Sequence, residues 1–304
     1  MVGLKFYEDL IDIQNKYKKY NLKISNAIQT NGMVIDDEWA QFFAKNNFLV
    51  GLSLDGYDYI HNKLRIDASQ KGTFQQVMHA ARLFDKYKVE YNILTVITAN
   101  VAKNINKIYT FFKSEGFHYM QFIPCLDPLY EERGKYAHSL TPELYGRFLK
   151  DLFDLWYKDI KNGEFVYIRY FENLLQMMLG YYPEACGMLG RCSNQYVIES
   201  DGSVYPCDFY VLDEYKIGNL TRDNFATIEE NRKTIGFIEP SLHKDPECKG
   251  CKWHNLCYGG CRRDREPVRD KKASRNYFCT SYQDFFEYVF PRLQEVARIV
   301  KERR

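Results

Sequence analysis

The sequence predicts an α/β protein, a parallel sheet wrapped by helices and followed by a cysteine-rich region and a closing helix. Three observations carry that expectation. Over residues 1–127, apolar segments of strand length alternate with segments whose apolar residues recur at helical spacing. The segment Phe48–Leu54 is almost continuously apolar, as a parallel strand covered on both faces should be. Eight of the nine cysteines crowd into residues 186–279, where the helical period gives way to short turns.

The elements follow in order. A first helix over about 5–20 carries Phe6, Leu10, Ile13 and Tyr17 at three- and four-residue steps. A strand at Lys23–Gln29 ends in Thr30-Asn31-Gly32, and Asp36 or Asp37 can cap a helix burying Trp39, Phe42 and Phe43. The strand Phe48–Leu54 stops at Asp55-Gly56. Thr73 with Gln76 reads as a capping box for a helix that buries Phe74, Val77, Ala81 and Phe84. Val89–Thr98 is the next strand, Asn104–Glu115 the next helix and His118–Pro124 a fourth strand. Strands that alternate with helices indicate parallel pairing with right-handed crossovers. Chemistry in such sheets gathers at the carboxyl ends of the strands. Those ends are Gln29-Thr30-Asn31-Gly32, Ser53-Leu54-Asp55-Gly56, Thr95–Asn100 and Pro124-Cys125-Leu126-Asp127.

Thr141-Pro142 opens a further helix with Leu144, Phe148, Leu152 and Leu155 or Trp156 as its apolar stripe. From about residue 183 the character changes. Gln195–Ser200 and Ser203–Tyr210 flank Asp201-Gly202, a strong hairpin signal, and an amphipathic helix closes the chain over about Ser281–Arg304. Two domains are expected, 1–182 and 183–304. A net charge of +2 gives no electrostatic support for a nucleic-acid or anionic-membrane partner. The interspersed acid makes Arg262-Arg263-Asp264-Arg265 a solvated loop. No apolar run approaches the roughly 18 residues of a membrane helix, and no signal peptide is evident. A cytoplasmic protein is expected, whose reduced thiols favour metal over disulfides.

The cysteines read Cys186, Cys192, Cys207, then Cys248-Lys-Gly-Cys251, Cys257, Cys261 and Cys279. Eight soft ligands suffice for two four-cysteine sites, and the chemistry admits zinc or iron–sulfur. Gly250 and Gly259-Gly260 relieve crowding where the chain folds round a metal. Cys125 stands apart and reads as a small buried residue at a strand end.

The full spacing from Cys192 through Gly202, Cys207, the Cys248–Cys251 pair, Cys257 and Cys261 to Cys279 resembles the SPASM domain, the two-cluster extension of radical S-adenosylmethionine enzymes. With Cys186, the Gln-Thr-Asn-Gly and Ser-Leu-Asp-Gly strand ends and Cys207-Asp208, the chain resembles the anaerobic sulfatase-maturating enzymes along its whole length. The resemblance implies a partial parallel (β/α) barrel of the radical SAM type. A SPASM domain with a β-hairpin and a C-terminal helix would follow it. It implies two auxiliary [4Fe–4S] clusters, one on Cys186, Cys192, Cys207 and Cys261, the other on Cys248, Cys251, Cys257 and Cys279. Ser53 would bond the ribose or carboxylate of S-adenosylmethionine, Arg65 would pair with its carboxylate, and Leu126 would lie against its adenine. Asp208 would be the general base. Gln29 and Asn31 are candidate pocket polars, though turn formation by Asn-Gly explains Asn31 equally well, and without the resemblance Arg65 reads as a solvated cation and Asp208 as an acid bonding loop amides.

The implied reaction oxidises a cysteine or serine in an unfolded sulfatase segment to formylglycine. A 5′-deoxyadenosyl radical takes a β-hydrogen, Asp208 takes a proton, and an electron leaves through the auxiliary clusters. Flavodoxin or ferredoxin would supply reducing electrons. The family's radical-generating cluster is held by a CxxxCxxC loop, and no cysteine precedes Cys125. The Gly-Gly-Glu-Pro motif is likewise missing. The sequence is therefore expected to be an N-terminally truncated form that does not itself cleave S-adenosylmethionine. Competing expectations are a SPASM enzyme that forms thioether or carbon–carbon crosslinks, and a non-catalytic zinc or iron–sulfur module that binds peptides.

Overall fold

In the computed structural model, which describes residues 2–18 and 21–302, the N-terminal elements alternate as α1 (Leu4–Tyr17), β1 (Ala27–Thr30), α2 (Asp37–Lys45), β2 (Leu49–Ser53), α3 (Asp58–His61), α4 (Phe74–Tyr87), β3 (Tyr91–Ile97), α5 (Ala99–Lys103), α6 (Ile105–Ser114), β4 (Tyr119–Pro124), α7 (Pro142–Lys161) and β5 (Tyr167–Ile168). Strands β1 to β5 form one parallel sheet in sequential order, with Ala27 opposite Leu49, Val50 opposite Tyr91, Ile93 opposite Met120 and Tyr119 opposite Tyr167. A sequential parallel order is that of a (β/α) barrel, whereas a doubly wound sheet reverses direction at a switch point.

The chain divides into two compact units. The first is Met1–Asp127, Arg133–Leu140 and Asp151–Arg169, and the second is Pro128–Glu132, Thr141–Lys150 and Tyr170–Arg304. In the first, Val50 and Leu52 of β2 and Ile93 of β3 are buried beneath Phe43, Val77, Ala81, Phe84, Ile108 and Phe112 of the covering helices. Much of the aromatic excess is used here: Phe43 lies 5.5 Å from Phe48 and 6.3 Å from Phe84, centroid to centroid. Gly51 is required by close approach, because a Cβ there would sit 2.5 Å from Leu94 Cδ1.

The second unit takes α8 (Arg169–Met178), an antiparallel sheet of β6 (Val197–Ile198), β7 (Ser203–Tyr205) and β8 (Gly218–Asn219), then α9 (Phe225–Ile235). Val204, Ile217 and Ile228 form a small core under this sheet. Three single-turn helices follow, α10 (Glu239–Leu242), α11 (Pro246–Lys249) and α12 (His254–Cys257), then a β9 (Val268–Arg269) and β10 (Lys272–Ala273) pair, and α13 (Cys279–Glu302). Phe285 of α13 stacks on Phe171 of α8 at 6.0 Å, and Phe286 packs on Trp253 at 5.9 Å.

Several expectations change. Phe6, Ile13 and Tyr17 of α1 are exposed, because the helix is oriented by Tyr7, whose ring meets Trp39 at 5.4 Å, and by the paired amides of Gln14 and Asn26. Residues 19 and 20 of the expected helix, like 303 and 304, lie outside the described residues. Asp36 supplies the α2 cap, its Oδ1 accepting from the Trp39 amide at 3.0 Å. The capping box of α4 does not form; the Asn62 side chain accepts the Phe74 amide instead, and the Thr73 hydroxyl turns to Arg65. Strands β5 and β8 have two residues each, too few for periodicity to register. The stretch Arg262–Arg265 is not a solvated loop: its four side chains are 4–8% exposed in a single 3₁₀ turn. Among the described residues, no helix is long and apolar enough to cross a membrane.

Candidate functional site

At the carboxyl end of the sheet, a cavity of about 340 Å³ is lined by Ile28, Gln29, Asn31, Val34, Trp39 and Ser53, among others. Ser53 and the polar end of β1 are therefore brought together. Arg65 is positioned by Asp55, which is 6% exposed: Arg65 donates Nε to Oδ2 at 2.6 Å and Nη2 to Oδ1 at 3.1 Å, and the Val96 amide donates to the same Oδ1 at 2.9 Å. A bidentate, charge-assisted pair fixes the guanidinium plane. Leu126 follows β4 and is half-buried, while Asp127 is buried and accepts from the Gly134 amide and the Ser139 hydroxyl. Cys125 is half-buried, its thiol pKa raised by burial and by Asp127 and Asp55.

The loop carrying Arg65 is held from behind by His61, which is fully buried. The Asp55 amide donates to His61 Nδ1 at 3.2 Å, so Nε2 carries the ring proton and donates to Thr73 Oγ1 at 3.1 Å. Thr73 donates onward to the Arg65 carbonyl at 3.2 Å. Burial, reinforced by the Arg65 charge and opposed by Asp55 and Asp58, holds the imidazole down to about 4. Above the ordinary histidine value the ring is neutral folded and unfolded, and stability is unaffected. As pH falls below about 6.5 the unfolded chain takes the proton first, so stability is lost down to about pH 4, by up to about 3 kcal/mol. Thermal unfolding between pH 7 and 5 should show this loss, with a shallower slope in His61→Gln.

All nine cysteines are free thiols. Cys248, Cys251, Cys257 and Cys279 line one small cavity with Trp253, His254 and Tyr282. In the other set, a Cβ built on Gly187 would sit 3.8 Å from the Cys261 Cβ, and Gln195 donates to Cys186 Sγ at 3.4 Å. Burial pushes Cys257 up to about 12, with Cys279, Cys248 and Cys251 adding to it. Burial also raises Cys261, with Cys192 and Cys207 among its neighbours, and Cys207 rises to about 12 with Cys192 contributing. Cys248, Cys251, Cys257 and Cys279 thus share one cavity, while Cys186, Cys192, Cys207 and Cys261 are linked by their mutual electrostatic influence, two groups that interleave along the chain.

These fours fit iron–sulfur clusters. Thiolates gripping one zinc at about 2.3 Å must converge far more tightly than those at the corners of a four-iron cube. Raised thiol pKa values mean that binding must displace protons.

Asp208 is exposed at the start of a 3₁₀ turn, and its Oδ1 accepts from the Cys207 thiol at 3.4 Å. Among the described residues this thiol is the donor found on its carboxylate. Sequence reasoning missed Asp55 and His61, which position Arg65, and Arg265, which is buried beside the cysteines. The first two have no local signature, since Asp55-Gly56 is already explained as a strand stop.

The family description "SPASM: Iron-sulfur cluster-binding domain" matches residues 186–252. A cysteine-type anaerobic sulfatase-maturating enzyme of Clostridium perfringens (strain 13 / Type A) is 53% identical over 301 residues, covering 99% of this chain and 81% of that protein. A serine-type counterpart from Bacteroides thetaiotaomicron is 33% identical, covering 96% of this chain and 73% of that protein. The solved structure described as native anSMEcpe with bound AdoMet and Kp18Cys peptide superposes with a TM-score of 0.93 at 53% identity, covering 97% of this chain and 82% of that one.

Proposed function

The chain belongs to the anaerobic sulfatase-maturating enzymes, radical S-adenosylmethionine oxidoreductases that convert a cysteine or serine to formylglycine, and we propose that its own target is a cysteine in an unfolded sulfatase segment. The gathering of eight cysteines into two fours carries the cluster assignment, and the 53% identity to a cysteine-type relative against 33% to a serine-type one supports the substrate. A zinc-binding peptide module and a thioether-forming enzyme are not favoured by this membership.

S-adenosylmethionine and the family's clusters supply hydrogen-atom abstraction and an electron sink when bound. The protein's residues do the rest. In this reading residues 1–182 form the barrel portion and 183–304 the cluster domain. Two of the Arg65 donors are committed to Asp55, which fixes the guanidinium plane, and its remaining donors would pair with the cofactor's carboxylate. Ser53 bonds the ribose or carboxylate from the strand end, and Leu126 offers an apolar surface to adenine. Cys186, Cys192, Cys207 and Cys261 hold one auxiliary cluster; Cys248, Cys251, Cys257 and Cys279 hold the other. Asp208 accepts the proton of the substrate thiol. Loss of one hydrogen atom, one proton and one electron leaves a thioaldehyde, and water adds to it and expels the sulfur as hydrogen sulfide to give the aldehyde. The reductant is a flavodoxin or ferredoxin, and the compartment is the cytoplasm.

The radical-generating loop is not among these 304 residues, so turnover is measured with a CxxxCxxC segment joined upstream. Incubation with S-adenosylmethionine, dithionite and a Cys-x-Pro-x-Arg peptide should give loss of thiol and gain of an aldehyde by mass spectrometry, faster than for the serine peptide. A thioether product, or preference for serine, would overturn the assignment.

A further inference from the structure

The buried stretch Arg262–Arg265 holds a feature that the reaction as described does not use. Arg265 is 4% exposed, yet among the described residues no salt bridge reaches it; Asp245 shares its small cavity and acts on it from farther away. Its guanidinium is spread over backbone carbonyls: Nη1 donates to Ser241 O at 3.0 Å and Gly190 O at 3.3 Å, Nε to Ser274 O at 3.4 Å and Nη2 to His243 O. Gly190 lies between Cys186 and Cys192 of one set. Ser241 is tied to the same set, since its hydroxyl accepts the Cys192 amide at 2.9 Å. His243 and Ser274 lead into Cys248 and Cys279 of the other set, and Arg265 and Cys248 line one small cavity. The loops of the two sets touch beside it: a Cβ on Gly190 would stand 2.0 Å from the carbonyl of Tyr258, which follows Cys257.

A buried cation without a counter-ion is costly, and carbonyl dipoles compensate only in part. Arg262, its neighbour in the turn, is different: its guanidinium lies 4.1 Å from the Phe237 ring centroid and 3.7 Å from Glu266 Oε1. Burial pulls the Arg265 pKa down, and the groups that push back are led by Cys248, Cys192 and Cys261, drawn from both sets, with the Asp245 carboxylate after them. Four thiolates around an iron–sulfur core leave a net negative body on each side, which gives the stranded cation its counter-ions.

The geometry points to Arg265 as the fixed positive charge shared by the two auxiliary clusters, a positioning residue that joins their loops and holds both reduction potentials up. A cluster that gains an electron becomes more negative, and an immobile cation beside it favours that state. This inference rests on the two-cluster reading above.

The test uses this chain, reconstituted anaerobically as wild type, Arg265→Lys and Arg265→Met, with iron and sulfide counted and each cluster followed by EPR-monitored redox titration. In Arg265→Met both midpoints should shift to more negative potential. Arg265→Lys keeps a charge but loses the fork, and should load fully with a smaller shift in the same direction. Unchanged midpoints in a fully loaded variant, or displacement of only one cluster, would overturn the inference. Failure of both variants to load would also overturn it, leaving Arg265 a folding residue. If the wild type itself carries no pair of four-iron clusters, the site reading has failed instead.

Discussion

Replacing Cys257 with alanine is expected to leave a protein that reconstitutes with about four irons where the wild type holds about eight, with matching sulfide. Replacing Cys261 is expected to do the same, and the two together to remove all iron. The double variant decides the pairing. Were ligands taken in chain order, Cys251, Cys257, Cys261 and Cys279 would form one site, and losing both cysteines would still leave four irons on the other. Cys257 lines one cavity with Cys248, Cys251 and Cys279, whereas the cysteines that act electrostatically on Cys261 are Cys192 and Cys207, which favours the interleaved pairing. The control is Cys248→Ala with Cys257→Ala, which should keep one intact cluster. About two zincs with little sulfide in the wild type would overturn the cluster assignment.

Asp208→Asn is expected to lower peptide oxidation by roughly 10²–10⁴-fold, the range of a lost general base. Iron content and peptide binding should stay unchanged. The bond from the Cys207 thiol to Asp208 Oδ1 exists only while that thiol is protonated. Ligation of Cys207 removes the donor and leaves an exposed carboxylate free to accept a proton. Asparagine keeps the shape and cannot take the proton. Loss of iron in Asp208→Asn would instead mark the carboxylate as a support for the cluster loop, and the assignment as base would fall.

The sheet was legible because its signals are repeated: β2 is continuously apolar, and α4 places Phe74, Val77, Ala81 and Phe84 on one buried face. The strand ends followed from that order, whereas Ser53, Arg65 and Leu126 were singled out only by the family resemblance. What stayed hidden depends on contacts distant in sequence. The α1 stripe of Phe6, Ile13 and Tyr17 has helical period, but period cannot tell which neighbour the helix meets, and Tyr7 on Trp39 settled it. The Thr73 cap failed because a buried histidine competes for the same hydroxyl. Arg265 was hidden most fully. A basic, acid-interrupted tetrapeptide looks solvated from sequence, and only the folded loops reveal four carbonyls aimed at its guanidinium. The interleaving of the cysteines is equally invisible to spacing and reached the sequence reading through family resemblance.

The interleaving also dictates a timetable for synthesis. Cys186, Cys192 and Cys207 leave the ribosome well before Cys261, their fourth partner, and at roughly 5–20 residues per second the delay lasts several seconds. Throughout that interval three nascent thiols form an open claw able to seize a stray divalent ion. The second four close last of all, with Cys279. In the two-cluster reading, cluster insertion therefore cannot run alongside translation segment by segment, and must wait until Cys261 and then Cys279 have emerged.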